Sequence, residues 1–152
     1  MSRRTRLADR DDADAIGRLL YAFNREFDEP APVPSALAER MRQLLDGGDT
    51  LVVLAGDGPD GLAVLRFRAA IWSAGLESYL AELYVVPARR GQGLGRLLME
   101  AAIREAGDRG ADTMDIGVDE PDVAARRLYE SLGFTNRSGP DGPLMYVYER
   151  EL

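Results

Sequence analysis

The first part of the chain carries two runs of apolar residues at helical spacing. In residues 12–27 the apolar positions recur with a period of about 3.6, which predicts a helix with one buried face. They are Ile16, Leu19, Leu20, Phe23 and Phe27. A second helix is predicted to begin after Ser35 as its N-cap and to end at Gly47 and Gly48. Its apolar positions are Leu37, Met41, Leu44 and Leu45.

The middle of the chain changes to the pattern of β-strands. Residues 50–55 (TLVVLA) and 62–71 form two apolar runs, and the DGPDG segment between them has the composition of a tight turn. A third strand is predicted over residues 77–86, and a short first strand over residues 3–8. The two apolar runs therefore predict a hairpin, and a second turn over residues 72–76 is predicted to lead into the strand over 77–86.

Helices and strands alternate in the last third of the chain. A helical stripe follows residue 93 and consists of Leu94, Leu97, Leu98, Ala101 and Ala102. We then predict a strand over 113–118, a helix over 123–132, and a final pair of strands over 134–137 and 144–149. The full order, β-α-α-β-β-β-α-β-α-β-β, predicts an α/β fold with a mixed sheet, and we expect residues 1–152 to form a single domain.

Composition restricts the chemistry more than the fold. The chain has 152 residues, of which 45% are hydrophobic, and it contains no cysteine and no histidine. The commonest general base is therefore missing, thiolate metal sites are impossible, and we predict no metal site. The net charge of −7 disfavours nucleic acid as a partner and would suit a cationic small molecule. No apolar run approaches the roughly 20 residues of a membrane span and no signal peptide is recognisable, so we expect a cytoplasmic protein without membrane contact.

A glycine-rich segment joins the third main strand to the helix after it. Glycines occupy positions 91, 93 and 95, directly after Arg89 and Arg90. A helix that starts in such a loop presents unpaired backbone N–H groups at the positive end of its dipole, which favours an anion such as a pyrophosphate. The spacing fits neither G-x-G-x-x-G nor the P-loop pattern G-x-x-x-x-G-K-[ST]. The two arginine side chains either add charge near the phosphates or lie in solvent, and a glycine turn without a ligand is the alternative.

Two motifs in this part of the chain resemble those of a known family. Residues 90–95 fit R-x-x-G-x-G, with Gly91 as an additional glycine. About 30 residues later, as a β-α-β-α unit needs, a segment fits A-x-x-L-Y-x-x-x-G-F through Ala125, Leu128, Tyr129, Gly133 and Phe134. Both motifs resemble the GNAT N-acetyltransferase superfamily. The resemblance implies the GNAT fold, acetyl-CoA as cofactor, and a gap between the strands over 77–86 and 113–118 that admits the pantetheine arm.

The resemblance places the cofactor contacts on both sides of Pro87. The diphosphate is expected at the glycine loop and first helical turn, which comprise Arg90, Gly91, Gln92, Gly93, Leu94, Gly95 and Arg96. The pantetheine arm is expected along a strand edge formed by Leu83, Tyr84, Val85 and Val86. A backbone N–H near Tyr84 or Val85 would polarise the thioester carbonyl. An ordinary central strand is the alternative.

Two side chains are candidates for proton transfer. Glu82 interrupts an apolar strand, where an unpaired carboxylate is costly, so it either faces a cleft as the general base or pairs with Arg66 or Arg68 of the neighbouring strand. Tyr129 is the candidate proton donor to the leaving thiolate, and the alternative is a half-buried tyrosine with its hydroxyl in water. The family often has asparagine three residues before the alanine of the second motif. Here that residue is Asp122, which we expect to cap a helix.

Acidic residues at two places are candidates for binding the acceptor. In the superfamily the first two helices and their loop wall the acceptor pocket, and that region here holds Glu26 and Asp28. Asp119 lies at the far wall, and Tyr84 lines the same cleft. These residues would suit a small cationic amine such as an aminoglycoside or polyamine. Residues 24–30 (NREFDEP), with YLAELYVVPARRGQG, resemble the aminoglycoside 3-N-acetyltransferase branch. Acidic loop ends that only aid solubility are the alternative.

The resemblance implies an acetyl-CoA-dependent N-acetyltransferase that acts on a primary amine of a small molecule. Because no cysteine exists to form an acyl-enzyme, we expect direct attack in a ternary complex. The alternatives are an enzyme that acetylates a protein N-terminus or lysine, and a regulatory module that binds acetyl-CoA without turnover. The resemblance also allows a homodimer.

Overall fold

A computed structural model describes residues 2–152, in which the chain divides into a first unit that ends at Ile116 and a second unit, Gly117–Leu152. The strands of the first unit are β1 (Thr5–Leu7), β2 (Thr50–Ala55), β3 (Gly61–Ala69), β4 (Leu76–Val85) and β5 (Ala111–Ile116). Its helices are α1 (Ala13–Glu26), α2 (Pro34–Asp46) and α3 (Leu94–Asp108), with single 3₁₀ turns at Arg10–Asp12 and Pro87–Arg89. The second unit contains α4 (Val123–Ser131).

The strands of the first unit form one sheet in the order β1-β2-β3-β4-β5. Strands β1 to β4 pair antiparallel, whereas β5 runs parallel to β4. A parallel neighbour needs a crossover connection, which α3 provides. The mixed sheet and the α/β class are therefore as predicted from the sequence, and the strand limits agree within two residues.

One face of the sheet is covered by α1 and α2. A buried cluster, here called the α1–α2 cluster, joins these helices to the sheet through Ile16, Leu19, Met41, Val52, Leu54, Leu62, Val64 and Tyr84. Burying one such aliphatic side chain stabilises the fold by about 1.5–3 kcal/mol. Because the cluster includes Tyr84, this face of β4 is directed towards α1.

The opposite face of the sheet is covered by α3. Gly61 precedes Leu62 in β3, so the two residues point to opposite faces. A Cβ atom at Gly61 would lie 3.1 Å from Cδ1 of Leu98, which places α3 on the face away from the α1–α2 cluster. Leu94, Leu98, Ala101 and Ala102 are buried, as the helical stripe predicted, and Met99, which the stripe did not include, is buried as well. α3 therefore starts close to the end of β4 and returns across the sheet.

The start of α2 differs from the prediction. The helix begins at Pro34 and has Val33 as its N-cap, so Ser35 lies inside the first turn and does not cap it. Proline suits this position because its fixed φ is helical and its missing N–H would have no helical partner. None of the helices within residues 2–152 combines the length and apolar character needed to cross a bilayer.

The last two predicted strands are the main error at the level of elements. The second unit, which is described throughout, contains no strand over 134–137 or 144–149; an isolated antiparallel bridge joins Arg137 and Leu144. The N–H of Met145 also donates to the carbonyl of Asn136 at 2.6 Å. A run of β-branched and aromatic residues predicts only that a strand would fit, whereas a strand forms only where a partner offers a row of hydrogen bonds.

Candidate active site

The glycine loop presents bare backbone at the start of α3. Gly91 and Gly93 have φ values of 74° and 81°, in the left-handed region that favours glycine. Gly93 is the N-cap of α3, and within residues 2–152 no side chain caps this helix and no acidic residue stands in its first turn. The first N–H groups of α3 are thus left without the side-chain acceptor that usually satisfies them, as an anion site requires.

Arg89 lies under this loop and is neither a phosphate ligand nor solvated. It is only 4% exposed. Its guanidinium donates to Oδ2 of Asp60 at 2.6 Å, to Oε1 of Gln92 at 3.0 Å and to the carbonyl of Ser2 at 2.8 Å. The expectation that the Arg89 side chain lies in solvent is therefore wrong. The side chain ties the glycine loop to the β2–β3 turn, and it does so through the Gln92 side chain.

Arg90 points the other way, towards α1. Its Nη1 and Nη2 atoms form a two-pronged ion pair with Glu26, at 2.7 and 2.8 Å, and its Nε donates to the carbonyl of Val85 at 3.0 Å. The guanidinium lies 5.6 Å from the ring centre of Tyr84, whose hydroxyl donates to Oε1 of Glu26 at 3.1 Å. The ring of Phe23 stacks on the ring of Tyr84, with 4.8 Å between the ring centres.

The contacts among Glu26, Tyr84 and Arg90 shift the pKa values of Glu26 and Tyr84. The hydrogen bonds from Arg90 lower the pKa of Glu26, and the Tyr84 hydroxyl adds to this effect. Burial and the neighbouring Glu26 raise the pKa of Tyr84. Glu26 therefore remains a carboxylate whose charge is balanced inside the protein.

β4 extends beyond the end of its parallel neighbour. Pairing with β5 stops at Leu80 and Ile116, whereas pairing with β3 continues to Val85 and Gly61. Residues 81–85 therefore have a strand neighbour on one side only within the first unit. This pairing pattern agrees with the gap that the family resemblance implied between these two strands.

Some backbone N–H and C=O groups of β4 point towards the edge that β5 leaves unpaired. The N–H of Val86 donates to the carbonyl of Asp60, the residue directly before β3. Because the direction of backbone groups alternates along an antiparallel strand, the N–H and C=O groups of Leu83 and Val85 point away from β3. A bulge at Ala81 precedes them, where the register with β3 shifts by one residue. The carbonyl of Val85 is already bonded to Arg90, which leaves the N–H of Val85 and the backbone of Leu83 facing the open edge.

Glu82 lies on the face of β4 that is directed towards α1. It is partly buried and stands two residues before Tyr84, opposite a β3 residue of the α1–α2 cluster. Burial alone raises the pKa of its carboxyl group. Within residues 2–152 Glu82 has no hydrogen bond or ion pair, and Arg68 pairs with Glu77. The alternative of an ion pair with Arg66 or Arg68 is therefore excluded.

The second unit holds the other predicted residues. Tyr129 is 9% exposed, and burial, with a contribution from the charge of Asp122, raises its pKa to about 12. The rings of Tyr129 and Phe134 pack edge to face, with 6.1 Å between the ring centres. Asp122 accepts a hydrogen bond from the N–H of Ala125 at 3.1 Å, so the predicted helix cap is confirmed. Asp119 is exposed, and its carbonyl accepts from the N–H of Asp122.

The structure brings some of the predicted site residues together. Glu26, Tyr84 and Arg90 are in direct contact, and Glu82 is on the same strand face as Tyr84. Asp28 is exposed, just beyond α1, with a left-handed φ of 54°. No pattern in the sequence pointed to Asp60 as a partner of Arg89, although its position beside the turn glycine could have suggested a structural role.

Comparison with known proteins places these features in a family. The model of the acetyltransferase (GNAT) family matches residues 15–134. A crystal structure from Arthrobacter sp. FB24, provisionally assigned as an acetyltransferase, has 45% identity and a TM-score of 0.91, and the match covers 98% of this chain and 96% of that one. An aminoglycoside acetyltransferase from a soil metagenome has a TM-score of 0.76 over 97% and 96% of the two chains. Its identity is 17%, so it shows the fold alone.

Curated relatives are longer than this chain. The mycothiol acetyltransferase of Rhodococcus erythropolis is 30% identical over 135 residues, which are 86% of this chain and 45% of the relative. That of Thermobispora bispora is 48% identical over 64 residues, 40% of this chain and 22% of the relative. The chain thus spans less than half the length of these relatives. Since the family model matches well over half of the sequence and the fold agrees, the chain belongs to the acetyltransferase (GNAT) family.

Proposed function

We propose that this enzyme transfers the acetyl group of acetyl-CoA to a primary amine of a small molecule by direct attack in a ternary complex. The observation that carries the proposal is the uncapped start of α3 behind Gly91 and Gly93, beside the open edge of β4. Backbone without side chains at a positive helix end suits a diphosphate. An edge with unpaired backbone suits the amides of a pantetheine arm.

The residues at this place fit such a cofactor. A Cβ atom at Gly91 would meet nothing within 4 Å, so the backbone there is open to a large group. The proposed diphosphate contacts are the backbone groups of residues 91–96, and the proposed pantetheine contacts are those of residues 83–86. When bound, acetyl-CoA supplies an acetyl group activated as a thioester.

Two side chains have proposed roles in moving protons. Glu82 accepts the proton that the amine loses, because its carboxylate has no partner within residues 2–152 and its raised pKa brings its basicity closer to neutral pH. Tyr129 donates its hydroxyl proton to the leaving sulfur, since a pKa of about 12 keeps the hydroxyl protonated at neutral pH. The proton balance closes when protonated Glu82 returns its proton to solvent and the tyrosinate takes one up.

The acceptor is proposed to be a small molecule. The relatives include mycothiol acetyltransferases and, at 45% identity over 53 residues, an L-methionine sulfoximine/L-methionine sulfone acetyltransferase of Salmonella typhimurium, whose names describe small acceptors. That match covers 35% of this chain and 31% of the relative. A cationic amine such as an aminoglycoside or polyamine would find exposed carboxylates at Asp28 and Asp119.

The test is release of free thiol from acetyl-CoA in the presence of single amines, with aminoglycosides, polyamines, amino acids and short peptides as the panel. We expect release that depends on a small amine, and mass spectrometry of that amine should show one added acetyl group. Release with peptides alone would favour a protein acetyltransferase. If no amine reacts although acetyl-CoA raises the melting temperature, the chain is a binding module, and if neither effect occurs the proposed cofactor site is wrong.

A further inference from the structure

Consecutive arginines hold the glycine loop from opposite sides. Arg89 reaches Asp60 and Gln92 beneath the loop, whereas Arg90 reaches Glu26 at the last residue of α1. Each guanidinium meets a carboxylate that lies far away in the sequence. The first pair is mostly buried, with side-chain exposures of 5% and 23%, and the second is partly exposed, at 44% and 26%.

The glycines of the loop add no packing of their own, although the Arg3 side chain also approaches the loop, with its Nη2 atom 2.7 Å from the position that a Cβ atom of Gly93 would take. Gly91 and Gly93 have no side chains to pack, and a Cβ atom at Gly91 would meet nothing within 4 Å. Because glycine has no Cβ atom, its backbone can adopt many conformations. The conformation of this loop therefore depends on the residues that flank it. Arg90 is the residue directly before Gly91, and α3 begins directly after Gly93.

The ion pair between Glu26 and Arg90, here called the brace, fixes the Arg90 guanidinium in one orientation. Two parallel N–H···O bonds, at 2.7 and 2.8 Å, define the orientation of the guanidinium as well as its position. The Nε bond to the carbonyl of Val85 and the ring of Tyr84 hold it in two further directions. The last residue of α1, the open edge of β4 and the glycine loop are thereby joined at one guanidinium.

We propose that Glu26 is a positioning residue for cofactor binding, which acts through Arg90 to fix the glycine loop, and that it is not a ligand of the acceptor amine. This rests on the proposed function, because it assumes that the loop receives the diphosphate of acetyl-CoA. It also revises the sequence-based expectation that Glu26 binds a cationic acceptor. A cationic acceptor would have to compete for a carboxylate that already accepts from Arg90 and Tyr84.

The proposal differs from its rivals in the sign of a measurable effect. If Glu26 and Arg90 acted as independent charges near a diphosphate, Glu26→Gln would tighten CoA binding and Arg90→Gln would weaken it. If Glu26 bound the acceptor, Glu26→Gln would leave CoA affinity unchanged and raise the acceptor KM more for polyamines than for monoamines. A brace predicts that both substitutions weaken CoA binding, because either one releases the loop.

The experiment is a double-mutant cycle read by calorimetric titration of the protein with CoA, which needs no acceptor. We expect Glu26→Gln and Arg90→Gln each to weaken CoA binding by roughly three- to tenfold, and the double variant to be no weaker than the worse single variant. Arg90→Lys keeps the charge but loses the two-pronged geometry, so it should weaken binding as well. Asp14→Asn is the matched control, because Asp14 is a carboxylate of the same helix that pairs with Arg42 away from the loop.

Several outcomes of the double-mutant cycle would contradict the role of Glu26. Opposite signs for the two single variants, multiplying effects in the double variant, or unchanged CoA affinity in Glu26→Gln would each overturn it. If the unmodified protein binds CoA but acetylates no amine, the proposed transfer fails while the cycle still tests the brace. If the unmodified protein does not bind CoA at all, both proposals fall. With an acceptor in hand, the brace predicts a raised KM for acetyl-CoA with kcat largely retained.

Discussion

At the scale of single residues, Glu82 has the clearest conflict between stability and chemistry. A carboxylate that is partly buried and has no partner within residues 2–152 destabilises the folded state when it is charged. The raised pKa expresses the same cost, because burial favours the protonated form. Functional sites often keep such residues, since a base needs a pKa nearer to the working pH than an exposed carboxylate has.

Glu82→Gln should therefore lower activity and raise stability. We expect kcat to fall by at least roughly 100-fold and the melting temperature at pH 7 to rise. Because the folded pKa is raised, the gain in stability should exist above the usual pKa of a glutamate and disappear as the pH falls below it. In the unmodified enzyme kcat/KM should decline as the pH falls through the raised pKa, and Gln should flatten this limb.

The control for this prediction is Glu77→Gln, on the same strand. Glu77 pairs with Arg68, so this substitution removes a carboxylate that is already partnered. It should keep most of the activity and the pH dependence. If Glu82→Gln retained full activity, or if both variants lost it equally, Glu82 would not be the base.

At the scale of elements, the start of α3 depends on glycines with a left-handed φ, which Gly107 inside the same helix does not have. Gly93→Ala should destabilise the protein by about 1–2 kcal/mol, since φ at this position is left-handed. It should also weaken CoA binding, because a Cβ there would lie 2.7 Å from Nη2 of Arg3, so the strained loop backbone or that side chain would have to shift. Urea unfolding and calorimetric titration with CoA would measure the two effects.

Gly107→Ala provides the matched comparison within the same helix. Gly107 does not have a left-handed φ, and a Cβ there would meet nothing within 4 Å. Alanine should therefore stabilise α3 by about 0.5–1 kcal/mol and leave CoA affinity unchanged. Equal behaviour of the two variants in both measurements would contradict a special role for Gly93.

Elements could be predicted from the sequence where their pattern is local. The stripes of α1 and α3 and the apolar runs of β2 and β3 appear in the sequence and in the structure with similar limits. The strands predicted near the end of the chain failed because pairing, and not propensity, decides whether a strand forms. The bulge at Ala81 was equally invisible, since it depends on the register between two strands.

At the scale of the whole molecule, acid should unfold the protein through its paired carboxylates. The hydrogen bonds from Arg6 lower the pKa of Asp12, and those from Arg90 lower the pKa of Glu26. A lowered folded pKa contributes stability above the unfolded value that is lost as the pH falls through the folded one. We therefore expect the melting temperature to drop below about pH 4.

Melting temperatures between pH 7 and pH 3 would test this, with Asp12→Asn as the variant. Its curve should start lower at pH 7 and fall less steeply in acid than that of the unmodified protein. Glu82→Gln should change the curve in the opposite sense, because its gain is confined to higher pH. A curve for Asp12→Asn that runs parallel to the unmodified protein would show that the Arg6 pair contributes nothing measurable.

The sequence by itself determined the order of elements, the glycine loop before α3 and the unusual carboxylate in β4, because these are patterns among neighbouring residues. Only the tertiary structure decided which arginine forms an ion pair with which carboxylate. Arg90 pairs with Glu26 across 64 positions and Arg89 with Asp60 across 29, while two adjacent arginines in the sequence turn in opposite directions. Such partners are selected by how the helices and the β2–β3 turn pack around the sheet, and packing depends on contacts that no local pattern encodes.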